Sequence, residues 1–184
     1  MTPLSATERA ALLGIARAAI LAHLGGKPVP QPDARGALAE VRGAFVTLHA
    51  GDALRGCVGT FQPTESLART VARMAVASAS DDPRFPPVEP SEIPDLDVSI
   101  SALGPRQPLR DPLSVRVGTD GLLIRRGWHR GALLPKVAVE NGWSAEEFLK
   151  HVCLKAGLQA RAWQEPGTEL EVFQAEEFGE EPAP

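Results

Sequence analysis

Between Gly43 and Thr60 two alternating apolar stretches flank Ala50-Gly51-Asp52, and the second, Leu54-Arg-Gly-Cys-Val-Gly-Thr60, sets a lone cysteine between two glycines. Alternation of period two dictates strands, and the glycine between them dictates a hairpin. A Gly51-Asp52 turn alone would set Leu48 against Arg55 and Val46 against Cys57. A three-residue loop avoids that mixture, so the expected register groups Val46, Leu48, Leu54 and Val58 on one face. Phe45, Thr47, His49, Arg55 and Cys57 then share the other.

In that register Arg55 and Cys57 are second neighbours about 6.5 to 7 Å apart along the backbone. An arginine at that distance favours a thiolate, so both are candidate catalytic residues. His49 lies too far along the ribbon to serve as a base. Gly56 and Gly59 leave the strand without side chains, the mark of a bulge or of a close backbone approach. With Thr60 they form a candidate substrate or partner surface. Cys57 also has a plainer reading, as a small half-buried packing residue.

The chain has 184 residues, enough for one domain of two lobes that buries roughly 70% of its unfolded surface. A net charge of −4 lacks the basic footprint of a nucleic-acid binder. Cys57 and Cys153 are the only cysteines, and they supply neither zinc spacing nor a Cys-x-x-Cys pair, so no metal or cofactor is expected. With no long apolar run, a cytoplasmic protein without membrane contact is the expectation.

Ser5-Ala-Thr-Glu8 is a capping box opening a helix that stops at Gly25-Gly26. Thr64 is positioned to cap a second helix, Glu65 to about Ser80, which runs into Asp81-Asp-Pro-Arg-Phe-Pro-Pro87. Carboxylates at a helix C-terminus oppose the macrodipole. A local rule broken in this way often marks a functional position, which makes Asp82 and Arg84 candidate binding residues. Residues 95 to 102 alternate as a strand, and residues 103–113 carry the candidate lobe boundary. Val115 to Gly118 and Leu122 to Arg126 read as a second hairpin. His129 follows in the Gly127-Trp-His-Arg-Gly131 loop, a setting that presents functional side chains. Ser144-Ala-Glu-Glu147 opens another helix, in which Cys153 faces the core. A last strand spans Glu169 to about Ala175, and residues 179–184 read as a disordered tail after a single domain of residues 1–178.

Leu54-Arg-Gly-Cys-Val-Gly-Thr-Phe61, Asp81-Asp-Pro-Arg-Phe-Pro-Pro87, and Leu133-Leu-Pro-Lys-Val-Ala-Val-Glu-Asn-Gly-Trp143 followed by Cys153-Leu-Lys-Ala-Gly157 resemble the AMMECR family. That family takes its name from the chromosomal region of Alport syndrome with midface hypoplasia and elliptocytosis. The resemblance implies an α+β fold of two unequal lobes, with mixed or antiparallel strands, flanking helices and a cleft between the lobes. It also implies partners, a Memo-like protein and a radical S-adenosylmethionine enzyme, in a shared modification pathway. Val58 stands where isoleucine is common in the family's hallmark.

Two functions fit these residues. In the first, an enzyme or its accessory subunit uses Cys57 as nucleophile or covalent carrier and Arg55 to hold an anionic group, with Asp82, Arg84 or His129 in binding or acid-base roles. In the second, a non-catalytic module uses the glycine-bearing strand as a groove for a protein or peptide.

Overall fold

A computed structural model describes residues 3–180. In chain order the elements are α1 (Ala6–Leu24), β1 (Ala44–Ala50), β2 (Ala53–Thr60), α2 (Leu67–Ser80), β3 (Leu96–Leu103), β4 (Gln107–Pro108), β5 (Gly121–Arg126), β6 (His129–Leu133), α3 (Pro135–Glu140), α4 (Ala145–Lys155), β7 (Glu169–Phe173) and β8 (Ala175–Gly179). The chain is α+β and forms two compact units, one running to Leu103 and resuming at Glu176, the other Gly104–Ala175.

The first unit is built on a sheet of order β2-β1-β3-β8, in which β1 pairs antiparallel with both β2 and β3. Alternation sorts its faces: Val46, Leu48, Leu96, Val98 and Ile100 are buried and join Leu12, Ala16 and Ile20 of α1 and Leu67, Val71 and Ala75 of α2 in one core. Each large side chain so buried contributes about 1.5–3 kcal/mol. The first helix begins as its sequence demands, with the Ser5 hydroxyl on the Glu8 amide and the Glu8 carboxylate on the Ser5 amide. For α2 the cap is Ser66, not Thr64.

In the second unit, the sheet order is β4-β7-β5-β6. Leu122, Ile124, Leu133 and Leu170 form its core with Phe148, Leu149, Val152 and Cys153 of α4, whose capping box Ser144–Glu147 is complete. Among the described residues no helix is long and apolar enough to cross a membrane.

Four further expectations need correction. The first hairpin turns on Gly51-Asp52 alone, with Ala50 opposite Ala53, and resolves the face conflict by a β-bulge. His49 faces Leu54 and Leu48 faces Gly56, so Arg55 is the extra residue, while Val46 meets Val58 and Thr47 meets Cys57. Leu54 consequently leaves the apolar face and is 37% exposed. The second hairpin is β5–β6, turning at Gly127-Trp128. Val115 to Gly118 is not a strand, and His129 opens β6 instead of sitting in a loop. The last strand is really two, β7 in the second sheet and β8 beside β3 in the first.

The fourth concerns residues 179 and 180, which are tied in. Gly179 ends β8, and the Glu180 carboxylate accepts Nε and Nη2 of Arg17 at 2.7 Å each and the Val98 amide at 2.8 Å. Arg17 also donates to the carbonyls of Ile93 and Leu96. A bidentate, charge-assisted pair fixes a chain segment that composition alone reads as loose. Residues 181–184 lie outside the described residues.

Gly56 sets how α2 meets the sheet. A β-carbon there would lie inside the van der Waals surface of the Ser78 carbonyl oxygen. The close approach lets the Ser78 hydroxyl donate to the Val46 carbonyl at 2.7 Å and accept the Val58 amide at 2.9 Å, bridging β1 and β2. Gly56→Ala should therefore destabilise the protein by about 2–3 kcal/mol, the cost of forcing atoms into a filled core. Urea unfolding checks this; a loss below about 0.5 kcal/mol, the scale of an ordinary surface substitution, contradicts the packing.

Candidate functional site

Cys57 lies on β2, the edge strand of the first sheet, on the face turned away from α1 and α2. Across the strands it stands in one row with Thr47 of β1 and Ser99 of β3. The next rows along the same face are Gly59, Phe45 and Ser101 on one side and His49 with Asp97 on the other. Thr47 is buried, and its hydroxyl donates to Cys57 Sγ at 3.3 Å. Cys57 itself is half-buried.

An edge strand leaves alternate backbone groups without a neighbouring strand. At Cys57 both are taken by the segment that follows α2. The amide donates to Asp82 Oδ2 at 2.8 Å, and the carbonyl accepts Arg84 Nη2 at 3.3 Å. Arg84 grips the same carboxylate through Nε on Oδ1 at 2.9 Å, Nη2 on Oδ2 at 2.6 Å and its own amide on Oδ1 at 3.1 Å. That last bond is the Asx-type turn expected of Asp-Pro-Arg.

Asp82 is 5% exposed. The Arg84 guanidinium, ahead of the Cys57 and Arg84 amides, holds its carboxyl far below the usual carboxylate range against the cost of burial. The Arg84 guanidinium is in turn held charged, chiefly by its hydrogen bonds to Asp82. The broken helix-end rule is thereby explained, since the carboxylate turns from the helix terminus to a cation and two amides.

Arg55 is not beside the thiol. Its Nε and Nη2 bind Glu92 at 2.7 and 3.0 Å, and Nη1 and Nη2 bind the carbonyls of Pro86 and Pro87 at 2.8 and 3.2 Å. The bulge frees it to clamp residues 86–92 onto β2, and Arg84 is the guanidinium near Cys57. The space at Gly56 is filled by Ser78, and that at Gly59 by the Phe45 ring, which also meets Phe61 at 4.7 Å between centroids. Thr60 ends the strand, its hydroxyl accepting the Gln62 amide at 3.1 Å.

His129 belongs to the second unit, where Nδ1 lies 3.0 Å from the Ala156 carbonyl oxygen. The residues brought together in the first unit are thus Cys57, Asp82 and Arg84, joined by Thr47 and Ser78, while Glu92 holds Arg55. Alternation had already put Thr47 on the face of Cys57; the other two carry no sequence signal beyond a polar residue near apolar ones. Among the described residues no group of three or more His, Cys, Asp or Glu side chains is arranged to hold a metal ion.

The fold is that of an α+β protein with two sheet-based units and a half-buried thiol on the first unit's edge strand. The AMMECR1 family model matches residues 13–178. A protein of Methanothermobacter thermautotrophicus is 46% identical over 187 residues, covering 97% of each chain. Protein TK0174 of Thermococcus kodakarensis is 42% identical, over 92% of this chain and 89% of its own. The crystal structure of the uncharacterized protein PH0010 from Pyrococcus horikoshii is 41% identical and matches with a TM-score of 0.85, covering 92% of this chain and 90% of that one. The chain belongs to the AMMECR1 family, whose biochemical activity is uncharacterised.

Because the Asp82 carboxyl is depressed in the folded chain, its contribution to stability is complete above the unfolded value of about 3.9 and is lost as pH falls below that. Asp82→Asn should cost about 2–3 kcal/mol at pH 7. The gap to the wild type should stay constant above about pH 5 and narrow only below about pH 4. Urea midpoints measured across pH check this, and a gap independent of pH down to acid unfolding contradicts it.

Proposed function

We propose that this protein acts through a reactive thiol, with Cys57 as nucleophile or covalent carrier in a modification reaction. The observation that carries the reading is the Thr47 hydroxyl donating to Sγ, with the Arg84 guanidinium bonded to the carbonyl of the same residue. Both groups stabilise negative charge on sulfur as it reacts, the condition under which a cysteine works at neutral pH. The Asp82 and Arg84 contacts to its amide and carbonyl fix where the sulfur sits.

The groove reading has less support. Its glycines face a carbonyl and an aromatic ring of the same chain, and the strand edge at Cys57 is already occupied. No cofactor enters the proposal. A Memo-like protein and a radical S-adenosylmethionine enzyme are its proposed partners, in the cytoplasm, on the strength of the resemblance alone.

Iodoacetamide tests the thiol. Mapped by peptide mass, native Cys57 should react about tenfold faster than N-acetylcysteine at the same pH, a preference worth ~1.4 kcal/mol in the barrier. Cys153 should stay unmodified, since it is fully buried in the second core. Thr47→Val should slow the Cys57 reaction about threefold, in keeping with one hydrogen bond of ordinary strength, and Thr47→Ser should retain the rate. A Cys57 rate at or below that of the free thiol sinks the proposal.

A further inference from the structure

We infer that the β5–β6 hairpin docks on an anionic bilayer surface, with the Trp128 indole seated among the lipid headgroups and the neighbouring arginines on their phosphates.

Trp128 is 98% exposed. A two-residue turn puts it there. Gly127 takes a φ of +58°, as the first position of such a turn demands, and Trp128 forms the apex between the paired Arg126 and His129. A buried indole is among the largest apolar contributors to a core, and this one contributes nothing to folding.

Charge is concentrated at the same tip. From Gly121 to Val139 the chain carries Arg125, Arg126, His129, Arg130 and Lys136 and no Asp or Glu, in a protein of net charge −4. Arg125 stands directly opposite Arg130 across the two strands. Like charges so placed cost stability, so folding does not explain the pairing. Glu169 of β7 binds Arg125, and Glu165 binds Arg126. Both pairs are exposed, where an ion pair is worth little, so a lipid phosphate can displace either carboxylate. Arg130 lies on β6, the outer strand of its sheet, away from β7 and Glu169. Beside the tip His129 Nδ1 lies 3.0 Å from the Ala156 carbonyl oxygen, and the helix that ends there, α4, closes with Leu154, 47% exposed, and Lys155.

The shape of the tip selects its partner. A turn apex is convex and encloses nothing. A specific protein interface needs about 800 Å² on each side, more than one indole and its flanking guanidiniums supply. A single aromatic ring is a poor platform for a nucleic-acid strand, which stacks successive bases. A bilayer interface accepts an isolated tryptophan at headgroup depth and attracts the basic residues beside it. Such a contact needs no spanning helix. It therefore revises the expectation of no membrane contact, which rested on the lack of a long apolar run.

Vesicles of equimolar phosphatidylcholine and phosphatidylglycerol, set against phosphatidylcholine alone, test the inference. In low salt the full chain should co-sediment with the anionic vesicles about tenfold more strongly, the order expected when one or two basic residues meet an anionic surface. That preference should fall severalfold as salt rises to about 0.5 M. Tryptophan emission should shift to the blue on binding, and Trp128→Phe should abolish the shift, since Trp143 and Trp163 are already partly buried. Trp128→Ala and Arg130→Glu should each weaken partitioning about fivefold or more, the first through lost apolar contact and the second through charge. Both side chains are exposed, and matching urea midpoints are the control for folding. Equal partitioning to the two kinds of vesicle, binding to neither, or a Trp128→Ala variant that binds as the wild type does overturns the inference. So does an indole shift produced by single-stranded oligothymidylate and not by the vesicles, which would assign the tip to nucleic acid.

Discussion

One carboxylate, Asp82, joins the end of α2 to the open edge of the first sheet. It accepts two guanidinium nitrogens and two amides, one of them from Cys57. Without it the Cys57 amide would face water, and Arg84 would lose the partner that fixes its plane. The helix above cooperates: Gly56 admits the Ser78 carbonyl, and the Ser78 hydroxyl bridges Val46 and Val58. Arg55 fastens residues 86–92 to the same strand. One continuous stretch of chain, Ser78 to Glu92, therefore wraps the four residues Arg55 to Val58.

That convergence has a chemical consequence. A lone strand cysteine is ordinarily a packing residue. Here the main chain at the sulfur-bearing residue is held by charged partners on its amide and its carbonyl, and a buried hydroxyl donates to the sulfur. The arrangement is expensive, because it buries a carboxylate and admits two glycines into a strand. Packing alone does not require it: a valine at position 57 would fill a half-buried strand site without any of these partners.

The fold was largely readable from local chemistry. Both capping boxes, the alternation in β1, β2 and β3, and the core face of α4 follow from residue spacing, and the structure places them accordingly. What failed were features decided by distant contacts. The bulge at Arg55 was hidden because one extra residue restores facial sorting as well as a longer loop does. β8 was hidden because Ala175 to Gly179 lacks apolar alternation, and its order comes from Glu176 and Glu180 meeting Arg42, Arg9 and Arg17.

The site followed the same division. Cys57 stood out by its glycines and Asp82 by its misplaced charge, but which arginine serves the thiol depended on a turn geometry that only the folded chain supplies. Arg55 is nearer in sequence, yet the bulge sends it to Glu92; Arg84 is 27 residues away and its Nη2 reaches the Cys57 carbonyl. Proximity in sequence misassigned the cation, and the broken helix-end rule pointed to the right segment.

Amide hydrogen exchange at Cys57 tests the central claim most directly. An edge-strand amide pointing away from its only neighbour exchanges quickly unless something binds it. The account predicts a protected Cys57 amide in the wild type and an exposed one in Asp82→Ala, with the core amides of β1 still protected in both. A Cys57 amide that exchanges at the unprotected rate in the wild type, or stays protected in the variant, would contradict it.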